Sequence, residues 1–184
     1  DADTILREKI GVVYDGDNFP PYWTAKQLSE VMEGLYTQWD NSLFQKYLED
    51  FQLPAKQKIK HYSRGMTMKL AIAAALAHHP ELLILDEATS GLDPIMRDEM
   101  LDVFLEFVQE ENHSILLSSH ITSDLEKVAD YITFIHNGKL IMTVSKNDLA
   151  YNYAVMRCKE SQFLTVDPND ILAYRKRDFQ IDVL

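Results

Sequence analysis

Four aliphatic residues in succession, Leu82 to Leu85, run directly into two adjacent carboxylates, Asp86 and Glu87, within the stretch PELLILDEATSGLDP. An apolar run of this length reads as a strand buried in a parallel sheet, and such a sheet needs helical crossovers between its strands. The two acids repel one another and cannot both enter the core their neighbours require. They either lie at a solvated strand end or hold something cationic.

The flanking sequence supplies both further strands and the crossovers. KIGVVYD, residues 9–15, is a β-branched run that stops at the Gly- and Pro-punctuated DGDNFPP, and HSILLSS, residues 113–119, is a second buried strand. Between them, Thr24 is an N-cap for a helix with apolar positions at 28, 31, 32 and 35, and NSLFQKYLEDF repeats the helical spacing until Pro54. Ser63 precedes RGMTMKLAIAAALAHH, rich in strong helix formers up to Pro80, and Pro94 opens a helix to about residue 111. TSDLEKVAD forms a last helix before YITFIHNGKLIMTV, a hairpin turning at Asn137 and Gly138. Buried strands alternating with helices give an α/β class with a parallel sheet. Residues 145–184 read as a small extension holding a short helix, the strand YAVMRC, in which Cys158 is buried, and a solvated helix end at YRKR.

Composition removes several functions. The 18 Lys and Arg against 29 Asp and Glu leave a net charge of −11, which disfavours a general nucleic-acid grip or an anionic membrane surface. Cys158 is the single cysteine, so neither an internal disulfide nor a cysteine-based metal cluster can form. The most apolar stretch, LAIAAALA at 70–77, falls far short of the roughly 20 residues a spanning helix needs. A membrane role therefore requires a partner subunit.

A strand ending in Asp and Glu suits a nucleotide hydrolase, because Asp holds Mg²⁺ through its water shell while Glu polarises the attacking water; alone, strand-end acids are usually only solvated. The neighbours sharpen the reading: YSRGM at 62–66, LLILDE at 82–87, SGLD at 90–93 and LLSSH at 116–120 follow in a fixed order. With these four motifs the chain resembles the ATP-binding subunit of ABC transporters from about residue 5 to about 145. YSRGM and SSHITSDLE look most like bacterial subunits serving a separate exporter-type permease, often linked to drug or antibiotic efflux.

The resemblance implies a P-loop NTPase-like sheet with a helical subdomain at about 22–79, as a partial ABC ATPase domain over 1–144 followed by an extension over 145–184. It implies ATP and Mg²⁺, with Asp86 the magnesium-associated carboxylate and Glu87 the general base. Asp93 matches the D-loop, which contacts the opposite subunit, and would also cap the helix that Pro94 opens. His120 matches the switch histidine that reaches the γ-phosphate. Ser63 and Gly65 match the signature motif, which in the family meets nucleotide held by the other subunit. Arg64 and Met66 replace its usual glycine and glutamine, and Asp15 stands where the family commonly has glutamine. His61, His78, His79, His113 and His136 match no motif and read as surface or loop residues. The implied partners are a membrane permease and a second ATPase subunit, identical or related, at the cytoplasmic face of the membrane, with no nucleic acid. The competing reading is an ABC-like ATP-dependent regulatory or scaffold module without transport.

The phosphate cradle G-x-x-x-x-G-K-[ST] does not occur: Gly138 and Lys139 are followed by Leu140 and sit in the hairpin turn. The expectation is a truncated ATPase subunit, inactive alone, lacking the N-terminal phosphate-loop strand. The strands ILLSS and YITFI would then lose their shared neighbour, leaving a sheet that is not continuous.

Overall fold

The computed structural model describes residues 6–16 and 18–184. It divides into two compact units, one through Val128 and one from Ala129.

The first unit is built on three parallel strands in the order β1 (Ile10–Val13), β2 (Leu82–Asp86), β3 (Ser114–Ser118). Register pairs Val13 with Leu85, Leu83 with Ile115 and Leu85 with Leu117. Residues opposite one another in a parallel ladder share a face, so these side chains all point to the same side. That side is covered: Val13, Leu83 and Leu85 are at most 1% exposed, and Ile115 and Leu117 pack on the same cluster. The alternate positions lie on the other face, where Val12 is 36% and Leu116 63% exposed. The expectation of strands buried on both faces therefore fails for β3, because among the described residues only one face is packed.

Between β1 and β2 come α1 (Ala25–Leu35), α2 (Asn41–Asp50), a 3₁₀ turn (Ile59–His61) and α3 (Arg64–Leu76). Thr24 caps α1 with a reciprocal capping box to Gln27, Asp40 caps α2, and Ser63 caps α3 through Met66 N–H at 3.2 Å. Helix α3 is buried on nearly every side, from Met68 through Leu76, which is why its sequence is so uniformly apolar. It ends at Leu76 rather than near Pro80, since His79 takes a positive φ of 54° to turn toward β2. Helix α4 (Pro94–Phe107) leads to β3 and stops four residues before the expected end, and α5 (Thr122–Val128) follows β3.

In the second unit, β4 (Tyr131–His136) and β5 (Lys139–Ser145) form an antiparallel hairpin turning at Asn137 and Gly138, with φ of 49° and 70°. Helix α6 (Lys146–Asn152) follows, then β6 (Met156–Cys158), α7 (Glu160–Phe163), a 3₁₀ turn (Pro168–Asp170), β7 (Tyr174–Lys176) and β8 (Ile181–Val183). The last three strands make a separate sheet in the order β6-β8-β7, around buried Cys158, Ile181 and Val183. YRKR contributes an exposed strand, not the expected helix end, because Tyr174 to Lys176 pair antiparallel with β8. The hairpin lies in the same unit as 145–184, so the division after Val128 falls earlier than the expected one after residue 144. The sheet is not continuous: among the described residues β3 has no strand on its outer edge, and β4 pairs only with β5.

Candidate functional site

Parallel strands present their C-terminal ends together, and at this end β2 and β3 deliver the first group of side chains. Asp86 and Ser118 are direct register partners, and Ser118 Oγ donates to Asp86 Oδ1 at 2.6 Å. By the alternation along β2, Asp86 lies on the open face with Leu82 and Ile84. Its other oxygen is left for solvent or a ligand.

Glu87 then leaves the sheet with a φ of 50°, a left-handed conformation uncommon outside glycine. Its N–H reaches both the backbone oxygen of Ser118, at 3.2 Å, and the Ser118 hydroxyl, at 3.1 Å. This turn separates the two carboxylates that the sequence sets side by side. It also aims Glu87 at His120, whose Nδ1 is 2.7 Å from Glu87 Oε2. Three of the expected site residues, Asp86, Glu87 and His120, thus converge, joined through Ser118. The sequence reading missed Ser118; its position opposite Asp86 at the strand end is the signal that could have found it.

A second group gathers at the start of α3. Ser63 Oγ accepts the Met66 N–H as the N-cap, and Gly65 is buried where an added Cβ would lie 2.5 Å from Met96 Cε on α4. Asp93 caps α4 by accepting from Ile95 and Met96 N–H, each at 3.1 Å. The expected capping role of Asp93 is therefore present, and the starts of α3 and α4 are packed together. Arg64 Nη2 donates to Asp15 Oδ1 at 2.6 Å, and the same guanidinium lies against Gly91, whose φ of 71° needs no side chain. One side chain so links the Asp15 loop, the α3 start and the turn before Asp93. Beside it, a cavity of about 500 Å³ is lined by Asp15, Phe19, Lys60, Tyr62, Arg64 and Met68, among others. Deeper in the helices, Lys69 of α3 pairs with Glu99 of α4 at 2.8 Å while only 8% exposed, and Lys127 of α5 holds Asp98 and Asp102 of α4 at 2.6 and 2.7 Å. Among the described residues no hydrogen bond or ion pair joins Ser63, Gly65, Asp93 or Asp15 to Asp86, Glu87 or His120.

Among the described residues no three His, Cys, Asp or Glu side chains form a metal-binding group. That excludes an all-protein cage within them but suits Mg²⁺, which keeps several waters and takes one or two carboxylates plus substrate oxygens. Asp86, fixed by the Ser118 hydroxyl and open on its other oxygen, fits that requirement. Of the histidines expected at the surface, His78 is instead buried at 2% exposure, stacked 4.1 Å from Tyr36, with Nε2 3.2 Å from the Ile10 oxygen and Nδ1 3.4 Å from the Ala74 oxygen. No helix among the described residues is long and apolar enough to cross a membrane.

Comparison with known proteins fits this geometry. A family described as ABC transporter matches residues 1–90. The bacitracin transport ATP-binding protein BcrA of Bacillus licheniformis is 37% identical over 180 residues, 96% of this chain and 57% of that protein. BcrA of Enterococcus faecalis is 36% identical over 78% of this chain and 47% of its own length. The lantibiotic transport ATP-binding protein SrtF of Streptococcus pyogenes is 46% identical over 87 residues, 47% of this chain and 38% of its own. The chain thus spans about half the length of these relatives. In fold it is similar to a dimeric, post-hydrolysis ATP-binding cassette, MJ0796, bound to ADP and Pi, with a TM-score of 0.68 at 21% identity over 78% of this chain and 65% of that one. A second structure, the ATP binding subunit of an ABC transporter, has the same TM-score at 22% identity over 82% of this chain and 64% of that one. Residues 1–90 thus match the ABC transporter family, and over as much as 96% of its length the chain is similar to bacterial transport ATP-binding proteins.

Proposed function

We propose that this chain belongs to an ATP-binding and hydrolysing subunit that powers export through a separate membrane permease, at the cytoplasmic face of the membrane. The observation that carries the reading is the 2.7 Å contact between Glu87 and His120 beside Asp86, at the C-terminal end of the parallel sheet. Glu87 accepts the proton of the attacking water, and His120 holds that carboxylate in place. Asp86, oriented by Ser118, holds the water shell of Mg²⁺. When bound, the ion neutralises charge on the phosphate oxygens.

The start of α3 offers backbone N–H groups and the positive end of the helix dipole to a phosphate of nucleotide carried by a second subunit. Ser63 and Gly65 serve that contact, with Asp93 beside it. Function therefore requires two ATPase subunits. The cavity beside Asp15 and Arg64 is the proposed meeting place with the permease, between the sheet end and the helical region. The cargo class that the relatives' names support is a peptide antibiotic of the bacitracin or lantibiotic kind.

Phosphate release by the full-length protein with MgATP tests the reading. Glu87→Gln, which keeps shape and removes basicity, should lower the rate by at least about 100-fold while nucleotide still binds. Unchanged phosphate release in that variant sinks the assignment.

A further inference from the structure

We propose that Thr89 and Asp124 are positioning residues for the Glu87–His120 pair, holding at a fixed separation the two loops that carry it. Thr89 Oγ1 donates to Asp124 Oδ2 at 2.7 Å, with Thr89 fully buried and Asp124 only 1% exposed. Ser123 Oγ lies 3.5 Å from the other carboxylate oxygen, so hydroxyls approach both oxygens of Asp124. Taking a carboxylate out of water is costly even when it is hydrogen-bonded, so an apolar contact would join these loops at lower cost if packing were all that was needed. A directional bond does what packing cannot: it fixes distance and angle together.

Sequence position tells what is being fixed. Thr89 lies two residues after Glu87, and Asp124 four after His120, so the same two loops meet twice. The outer meeting, Glu87 with His120, is solvent-facing, with the imidazole 69% exposed, and exposed polar contacts hold geometry weakly. The inner meeting is dry. Glu87 and Thr89 belong to one tight turn, closed by Ser90 N–H to the Glu87 oxygen at 2.9 Å and Leu92 N–H to the Thr89 oxygen at 3.3 Å. On the other side Asp124 stands in the first turn of α5, which Lys127 fastens to α4. Moving Thr89 away from Asp124 would therefore separate Glu87 from His120.

The kinetic consequence rests on the proposed ATP hydrolysis; the geometric one does not. Full-length protein is labelled at the histidine rings, and the His120 signal is assigned by its loss in His120→Gln. Thr89→Val, which keeps the shape and removes the hydroxyl, should move the His120 ring signal and lower kcat on the order of tenfold, with KM for ATP within about twofold; Thr89→Ser should restore both. Thr89→Ala serves if the valine variant does not fold. An unmoved His120 signal in the valine or alanine variant overturns the proposal, as does a serine variant shifted as far as valine, or a raised KM with kcat unchanged. If the wild-type protein hydrolyses no ATP, it is the functional reading that fails, and the ring signal alone still decides on the positioning role.

Discussion

Asp15 and Arg64 each depart from the residue that the family resemblance leads one to expect, and the two departures meet. The negative charge that Asp15 adds just past the end of β1 is answered by the Arg64 guanidinium, 2.6 Å away. Both side chains are more than a third exposed, at 39% and 55%, so the pair should stabilise the fold by less than about 1 kcal/mol. Its larger consequence is specificity of charge: Asp15→Arg and Arg64→Asp should each weaken MgATP binding, and the exchanged double variant should recover it. Binding measured by calorimetry at low and high salt checks this, and a double variant no better than the singles excludes a paired role. His78 supplies a different residue-scale effect, because burial holds its pKa below the ordinary 6.5. The unfolded chain then binds a proton more readily than the folded one, so stability contributed by neutral His78 is intact above 6.5 and falls as pH drops from there toward the lowered folded value. Thermal unfolding between pH 7.5 and 5.5 should show a loss that His78→Asn reduces; equal slopes in both proteins would assign the acid sensitivity elsewhere.

Helix α3 connects the sheet to the helical region, and Gly11 of β1 lets its backbone pack against the strands. A Cβ there would lie 2.7 Å from Leu83 Cδ2 and 3.1 Å from the backbone oxygen of Ala75, which cannot step aside. Gly11→Ala should therefore destabilise by about 1–3 kcal/mol in denaturant unfolding. Gly65→Ala meets only the flexible end of Met96 and gains helix propensity, so it should change stability by less than about 1 kcal/mol. If Gly65→Ala proved the more damaging of the two, the packing of α3 would be misassigned. This contrast also marks what the sequence makes legible. Strands, helices and the caps Thr24 and Asp93 were readable because each depends on neighbours within a turn or two. Helix ends past Leu76 and Phe107 were not, since burial and the turn at His79 decide them. YRKR became a strand because its partner, Ile181 to Val183, supplies a ladder that local composition does not announce. In the site, the carboxylates and His120 were readable as motifs, whereas Ser118 with Asp86, Arg64 with Asp15 and Thr89 with Asp124 are contacts between residues 32, 49 and 35 positions apart. Strand register and loop geometry, not neighbours in sequence, bring such pairs together.

At the scale of the chain, the two units differ in what they bury. The first holds one cluster running from Val13 to Phe104, with α3 at its centre. In the second, the buried apolar residues among those described are Cys158, Ile181 and Val183, while Phe134, Ile135, Leu140 and Ile141 of the hairpin are 51 to 70% exposed. A two-stranded hairpin is marginal by itself, and burial of apolar surface is the main favourable term in folding. The second unit should therefore open without the first. Hydrogen exchange followed by mass spectrometry would register this as protection at least about tenfold lower in β4–β8 than in β2 and α3. Ion pairs do not offset the difference: Arg177 and Arg157 approach Asp182, and Lys176 approaches Glu160, but all three basic side chains are more than half exposed. Equal protection across the division after Val128 would mean that the two units open as one, and that the small core around Cys158 is not the limit on the stability of its half.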